Sequence, residues 1–146
     1  MEGSITRILL VEDFEPYRAL TTSLLSQNSE FNVIGEAEDG LQAIEKAQEL
    51  RPDLILMDIG LPKLNGLDAA RRMCELVPTA KIIFLTQETD IDVVREALSL
   101  GAWAYVLKQE SETDLPSALA VVLQGKRFVS SALSGNGFGW QQDGDN

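Results

Sequence analysis

Short runs of apolar residues alternate along this chain with longer segments in which apolar residues recur every three or four positions. Continuous apolar runs are typical of strands buried on both faces of a parallel sheet, whereas the longer spacing is typical of amphipathic helices. The second run alternates more than the others, so we expect it nearer an edge of the sheet. The runs predict five strands, at residues 7–11, 32–37, 54–58, 81–85 and 104–107.

Five segments with helical spacing follow the five strands. Pro16 suits the first turn of the first helix, and the second and third helices stop before Pro52 and Pro78. The fourth and fifth end at Gly101 and Gly125, since glycine often terminates a helix. The apolar positions of the five helices are Tyr17, Leu20 and Leu24; Ala43, Ile44, Ala47 and Leu50; Leu67, Ala70, Cys74 and Val77; Ile91, Val94 and Leu98; and Leu115, Ala118, Leu119, Val122 and Leu123.

This alternation predicts an α/β fold, a doubly wound (βα)5 parallel sheet with helices on both faces. For 146 residues the flavodoxin-like strand order 2-1-3-4-5 fits best, and ligands of such sheets bind at the carboxyl ends of the strands. We predict one domain over residues 1–130. Residues 131–146, rich in Gly, Ser, Asn, Gln and Asp, are expected to form a flexible tail or linker.

Charge and composition exclude several kinds of partner. The net charge of −11 disfavours non-specific binding to nucleic acid, which requires a basic surface. The apolar runs are too short for a membrane span, and the first residues lack the basic and then apolar layout of a secretory signal. We therefore expect a cytoplasmic protein with no membrane partner.

The sequence contains no histidine and one cysteine, Cys74. The absence of histidine excludes a Ser-His or Cys-His nucleophile, a His-ligated metal and a role as phosphohistidine donor. A single cysteine forms no intrachain disulfide, and its place on the apolar stripe of the third helix predicts a core position. Any phosphate chemistry must therefore depend on carboxylates.

Polar side chains follow four of the predicted strands where those strands end. Glu12 and Asp13 follow the first strand. Asp58 ends the third, Thr86 follows the fourth and Lys108 follows the fifth. Because these strands are neighbours in the predicted order, we expect the five side chains to meet in one crevice. Each alone has an ordinary interpretation, as a solvated turn, a helix cap or a surface lysine, but those interpretations predict no clustering.

The chemistry of this cluster fits one reaction. Three neighbouring carboxylates repel one another unless a cation such as Mg²⁺ or Mn²⁺ compensates them, and Mg²⁺ often joins protein carboxylates to phosphoryl oxygens. Asp58 can act as a nucleophile that forms an aspartyl phosphate. Lys108 can neutralise charge on the transferred group, and the Thr86 hydroxyl can donate a hydrogen bond to it.

The chain resembles the receiver domains of two-component response regulators over roughly residues 5–128. Motifs that carry the resemblance are ILLVED at residues 8–13, MDIGLPKLNG at 57–66, FLT at 84–86, and GA at 101–102 with YVLK at 105–108. The resemblance implies that Glu12, Asp13, Asp58 and the main-chain carbonyl of Gly60 hold the metal, and that Asp58 is the phosphoacceptor.

The same resemblance implies how the phosphoryl group is detected. Thr86 and Lys108 would contact it, and Thr86 with Tyr105 would form a conformational switch. Strand alternation also predicts Trp103 on the same face as Tyr105. The domain would catalyse only its own phosphorylation and dephosphorylation, so it is not an enzyme in the usual sense.

The sequence GKRFVS at residues 125–130 resembles receivers that precede a LuxR-type helix-turn-helix domain. This likeness implies a sensor histidine kinase as phosphoryl donor, a possible homodimer on phosphorylation, and control of transcription through a DNA-binding domain that is absent from this chain. A stand-alone receiver that acts through protein contacts is the alternative.

Two other protein classes use similar residues. Phosphatases of the haloacid dehalogenase type need a second aspartate two positions after the nucleophile, where this chain has Gly60. A flavodoxin-type flavin module needs a Ser-, Thr- or Gly-rich phosphate loop after the first strand, where this chain has Glu12 and Asp13. Both alternatives fit the sequence less well than a receiver.

Overall fold

The apolar runs form the strands of one parallel sheet in the computed structural model, which describes residues 4–133. The predicted strand order 2-1-3-4-5 is confirmed, and a sixth short strand that we did not predict extends the sheet beyond the fifth. In spatial order the strands are β2 (Phe31–Ala37), β1 (Thr6–Val11), β3 (Leu54–Met57), β4 (Lys81–Thr86), β5 (Ala104–Leu107) and β6 (Phe128–Val129).

Five α-helices lie between and after the strands, as predicted. Side chains of Asp39, Asn65 and Asp90 cap the second, third and fourth helices by accepting a hydrogen bond from a main-chain amide of the first turn. A 3-10 turn, Lys108–Glu110, joins β5 to the fifth helix. The helices are α1 (Glu15–Leu25), α2 (Gly40–Leu50), α3 (Gly66–Leu76), α4 (Ile91–Ser99) and α5 (Ser111–Leu123).

Alternating side chains of the strands form two separate core layers. Leu9 and Met57 point into the layer covered by α2, α3 and α4, whereas Ile8 and Leu56 point into the layer covered by α1 and α5. All four side chains are fully buried. Because both layers are closely filled, the carboxyl ends of the central strands are held in fixed positions relative to one another.

The core differs from the sequence-based prediction at Cys74, which is exposed. Its neighbour Met73 is 1% exposed and takes the inward position on α3. Both residues are apolar, so either one fits the helical stripe in the sequence. In the structure α3 packs through Ala69, Ala70 and Met73, and Met73 therefore takes the buried position. The prediction that Cys74 packs in the core was wrong.

Trp103 also differs from prediction. Tyr105 lies in the layer covered by α4, but Trp103 packs against the opposite layer, covered by α1 and α5. Strand alternation does not apply to it, because β5 begins only at Ala104. The ammonium of Lys81 lies 4.3 Å from the centroid of its ring, and the guanidinium of Arg127 lies 4.4 Å from that centroid.

The sixth strand attaches the end of the described chain to β5. The Ser130 amide donates to the Tyr105 carbonyl at 2.9 Å, and the Ser130 hydroxyl accepts from the Leu107 amide at 3.0 Å. Leu133 is 3% exposed in the core, so packing continues past residue 130, where we predicted that the tail begins. The remainder of that predicted tail, residues 134–146, lies outside the described residues.

The opposite edge of the sheet is irregular. Ile8 of β1 is opposite Val33 of β2, but the next residue, Leu9, is opposite Gly35. The extra residue, Ile34, forms a bulge that interrupts the regular pairing of β2. Within residues 4–133, no helix is both long enough and apolar enough to cross a membrane.

Candidate functional site

The carboxyl ends of β1, β3 and β5 deliver four of the five predicted side chains to one open pocket, whereas Thr86, at the end of β4, is not among the residues that line it. Glu12 is 3% exposed and Asp58 is 8% exposed, whereas Asp13 is exposed at the rim. Main-chain hydrogen bonds extend past the strand ends, since the Asp58 amide donates to the Val11 carbonyl at 3.2 Å. The pocket is lined by Glu12, Asp13, Phe14, Tyr17, Asp58, Gly60, Gln87, Lys108 and Gln109.

Three of these residues form an acidic cluster. One carboxylate oxygen from each of Glu12, Asp13 and Asp58 lies within 4.8 Å of the other two. Oxygen donors at this spacing suit a hard divalent cation such as Mg²⁺, which commonly binds through one or two carboxylates and keeps several waters. The mixture of buried and exposed carboxylates leaves room for those waters on the open side. The residues present therefore fit the metal that the sequence analysis predicts.

Asp58 is held in place from two sides. Its Oδ1 accepts from the main-chain amides of Ile59 at 2.7 Å and Gly60 at 3.3 Å, and its Oδ2 accepts from Lys108 at 2.9 Å. The loop after Asp58 packs closely on the start of α3. A Cβ atom at Gly66 would lie 2.1 Å from the Asp58 carbonyl oxygen, so only glycine fits there.

Lys108 is the counter-ion of this acidic cluster. Its Nζ lies 2.7 Å from Oε1 of Glu12 and 2.9 Å from Oδ2 of Asp58, and its side chain is 12% exposed. Burial alone would lower the pKa of the Lys108 ammonium, but its hydrogen bonds to Asp58 and Glu12 outweigh burial, so the pKa is raised. Lys108 therefore remains charged at neutral pH.

Glu12 is the most enclosed carboxylate of the cluster. Burial raises its pKa, although hydrogen bonds from Lys108 and from the Phe14 amide, at 3.0 Å, act in the opposite direction. Removing the Lys108 ammonium would therefore leave the Glu12 carboxylate without a counter-ion in a poorly solvated position.

Thr86 and Tyr105 meet at Glu88, in the loop between β4 and α4. The Thr86 hydroxyl, 2% exposed, accepts from the Glu88 amide at 3.3 Å. The Tyr105 hydroxyl donates to the carbonyl of the same residue at 2.8 Å, and Tyr105 is 0% exposed. The two predicted switch residues thus hydrogen-bond to the main chain of the same loop residue. The sequence did not reveal Glu88, because both hydrogen bonds involve its main-chain atoms, which nearly all residue types share.

Tyr105 already lies inside the domain in this structure. Its role with Thr86 as a conformational switch stays a prediction. Val129 and Leu133 share its core layer, at 2% and 3% exposed. The end of the described chain therefore contributes to the enclosure of Tyr105.

Comparison with known proteins identifies the family. The family model described as "Response regulator receiver domain" matches residues 8–120. The chain is 33% identical to the transcriptional regulatory protein DegU of Brevibacillus brevis over 130 residues, which cover 89% of this chain and 55% of that protein. It is 38% identical to the response regulator protein VraR of Staphylococcus saprophyticus over 113 residues, which cover 77% of this chain and 54% of that protein.

Solved structures show the same similarity. A two-component response regulator of the LuxR family from Aurantimonas sp. SI85-9A1 superposes with a TM-score of 0.86 at 29% identity, covering 90% of this chain and 94% of that one. The isolated REC domain of RcsB from Salmonella enterica serovar Typhimurium, solved with the phosphomimetic BeF3-, has a TM-score of 0.85 at 27% identity, covering 90% and 97%. The chain spans about half the length of the curated relatives it matches. It is similar to a protein named as a transcriptional regulatory protein and to a response regulator of the LuxR family, and it belongs to the response regulator receiver domain family.

Proposed function

We propose that Asp58 accepts a phosphoryl group and that this modification changes the output of the protein to which the domain belongs. The observation that supports it best is the position of Asp58. Its carboxylate is oriented by two main-chain amides, lies beside the ammonium of Lys108, and belongs to a cluster suited to a divalent cation. A nucleophile needs this combination of fixed orientation and compensated charge.

The transfer follows from the groups around Asp58. One carboxylate oxygen forms a bond to phosphorus, and the bond between phosphorus and the donor breaks. The electron pair of that bond leaves with the donor, on the acetate oxygen of acetyl phosphate or on an imidazole nitrogen of a kinase phosphohistidine. Lys108 moves from the carboxylate towards the new phosphoryl oxygens, and Thr86 exchanges its contact with the Glu88 amide for a hydrogen bond donated to one of them.

Glu12, Asp13 and Asp58, with the main-chain carbonyl of Gly60, are the residues that would hold Mg²⁺ or Mn²⁺. When bound, the metal neutralises charge on the carboxylates and on phosphoryl oxygens. The protein residues set the positions of these ligands, since Glu12 and Asp58 are fixed by main-chain donors and Asp13 lies at the open rim.

We infer the phosphoryl donor and the output from the family. With no histidine of its own, the chain requires a separate histidine kinase or a small-molecule donor. Related proteins are named transcriptional regulators, so we infer that the phosphorylated receiver controls transcription through a DNA-binding domain, with dimer formation on phosphorylation. The acidic receiver itself offers little attraction to DNA.

Mass spectrometry of the intact protein tests the proposed function. Incubation with acetyl phosphate and Mg²⁺ should add one phosphoryl group per chain, and addition of excess EDTA beforehand should prevent it. An unmodified protein under conditions that modify a known receiver would refute the proposal.

Asp13→Asn should weaken the response of the domain to Mg²⁺. In the wild-type protein Mg²⁺ should stabilise the fold by mass action, by about 2.7 kcal/mol at one hundred times its Kd. The variant loses an acidic ligand and should respond less, but without metal it should be more stable by up to about 1 kcal/mol, because one repelling charge is gone. Thermal unfolding with and without Mg²⁺ measures both effects.

The matched control for this variant is Glu15→Gln, which removes an exposed acidic residue of α1 outside the acidic cluster. It should respond to Mg²⁺ like the wild-type protein. Equal Mg²⁺ shifts in Asp13→Asn and the wild-type protein would exclude Asp13 as a ligand.

A further inference from the structure

Tyr17 of α1 lies against the phosphoacceptor site but has no part in the chemistry described so far. Its ring faces Lys108, whose Nζ is 4.6 Å from the ring centroid, and its hydroxyl donates to Oγ of Ser111 at 2.9 Å. We propose that Tyr17 is a positioning residue that keeps the Lys108 ammonium over Asp58 during phosphoryl transfer. This inference rests on the proposed function of Asp58.

The contacts of Lys108 show what the ring adds. An ammonium has three N–H donors, and Glu12 and Asp58 already accept hydrogen bonds from this one at 2.7 Å and 2.9 Å. The electron-rich face of Tyr17 provides a further attraction from another element of the fold. Lysine has a long and flexible side chain, so without the ring the ammonium could turn outwards through the open side of the pocket.

The nature of this contact suits a residue that must move. A hydrogen bond fixes the ammonium to one oxygen, whereas attraction to a ring face changes little over small displacements of the cation. When phosphorylation consumes the Asp58 carboxylate, Lys108 must turn to a phosphoryl oxygen. The Tyr17 ring can hold the ammonium before and after that step, whereas the contact with the Asp58 carboxylate is lost in it.

The hydroxyl of Tyr17 fixes the ring itself. Its acceptor Ser111 is 7% exposed and begins α5, directly after the 3-10 turn that starts at Lys108. Tyr17 therefore contacts both ends of that turn, with its ring at Lys108 and its hydroxyl at Ser111. The residue thereby links α1, the turn and α5 next to the reacting carboxylate.

A purely structural role is the competing explanation, because Tyr17 also packs against the apolar layer between α1 and α5. The two roles differ in their dependence on Lys108. A positioning role acts only through the ammonium, whereas a packing role is independent of it. A double-mutant cycle with Lys108→Met therefore separates them.

The experiment measures initial rates of phosphorylation by acetyl phosphate at fixed Mg²⁺, by mass spectrometry of the intact protein. Tyr17→Leu should reduce the rate by about tenfold, as expected for loss of one cation–π contact in a partly desolvated site. Tyr17→Phe retains the ring and should lose no more than about threefold. In the slower Lys108→Met background, Tyr17→Leu should change the rate by less than about twofold.

Leu20→Ala is the control for α1, since Leu20 is 53% exposed on the same helix and should leave the rate unchanged. A wild-type rate in Tyr17→Leu, or an equal reduction in the two backgrounds, would overturn the positioning role while leaving Asp58 as acceptor. Absence of labelling in the wild-type protein would instead overturn the proposed function and this inference with it. If Tyr17→Leu fails to fold, Tyr17→Met, closer in length, provides the same test.

Discussion

Replacing Asp58 with asparagine should abolish phosphorylation by acetyl phosphate while leaving the fold intact. The amide oxygen of asparagine can still accept from the main-chain amides of Ile59 and Gly60, so the loop keeps its hydrogen bonds. The neutral side chain lacks the anionic oxygen that attacks phosphorus. We therefore expect complete loss of the phosphorylated species in the mass spectrum, with the far-UV circular dichroism of the wild-type protein.

Asp53→Asn is a closely matched control. Asp53 directly precedes β3 and Asp58 directly follows it, so the two residues lie at opposite ends of one strand. The Asp53 carboxylate accepts a hydrogen bond from the Arg7 main-chain amide at 2.8 Å, and the amide oxygen of asparagine can accept the same hydrogen bond. This variant should be phosphorylated at the wild-type rate. Labelling of Asp58→Asn to the wild-type extent would show that another residue is the acceptor.

Lys108→Met should destabilise the metal-free domain by about 2–3 kcal/mol. Methionine fills a similar volume, but Glu12 and Asp58 lose the cation that lies within 2.9 Å of both. Loss of one partner from a fully buried ion pair costs about 3–5 kcal/mol, and the opening of this pocket to solvent reduces that value. Urea unfolding in the presence of EDTA measures the change in the free energy of unfolding.

The same substitution should strengthen Mg²⁺ binding. Lys108 and the metal interact with the same carboxylates, so removing the ammonium leaves a more negative site. At about 4 Å, two unit charges near a protein surface interact by about 4 kcal/mol, so a gain of about tenfold in affinity is a conservative expectation. Calorimetric titration with Mg²⁺ gives the Kd of each protein.

Lys63→Met is the control for removal of a lysine charge outside the pocket. Lys63 is 67% exposed and lies 3.6 Å from Oδ2 of Asp39, a surface pair worth less than about 1 kcal/mol. We expect little change in stability or in Mg²⁺ affinity. Unchanged Mg²⁺ affinity in Lys108→Met would mean that the ammonium does not compete with the metal.

The strands, the helices and the crevice could be predicted because each depends on a local pattern. Continuous apolar runs reflect strands that are buried on both faces, and a spacing of three to four residues reflects helices that are buried on one face. The predicted ends of β1, β3 and β4 therefore lie within one residue of the observed ends. The predicted convergence of Glu12, Asp58 and Lys108 followed from strand order alone. The residue types at these strand ends then suggested the chemistry, and the family match confirms the motif resemblance to receiver domains.

The remaining features depend on contacts between distant segments. The two-residue strand β6 is too short for any periodicity, and only its pairing with β5 defines it. Cys74 and Met73 are indistinguishable on a helical stripe until α3 packs against the sheet. Tyr17 looked like an ordinary apolar position, because its contact with Lys108 exists only when α1 lies beside the turn after β5.

The two outer strands, β2 and β6, have a consequence for self-association. An uninterrupted outer strand exposes unpaired main-chain groups to which a strand of another molecule can bind, and this is a common route to aggregation. Here β2 carries the bulge at Ile34, and β6 is only two residues long. Neither offers a long regular template for continuing the sheet from one molecule into the next. Contacts between copies of this domain would therefore form through helices and loops rather than by extension of the sheet.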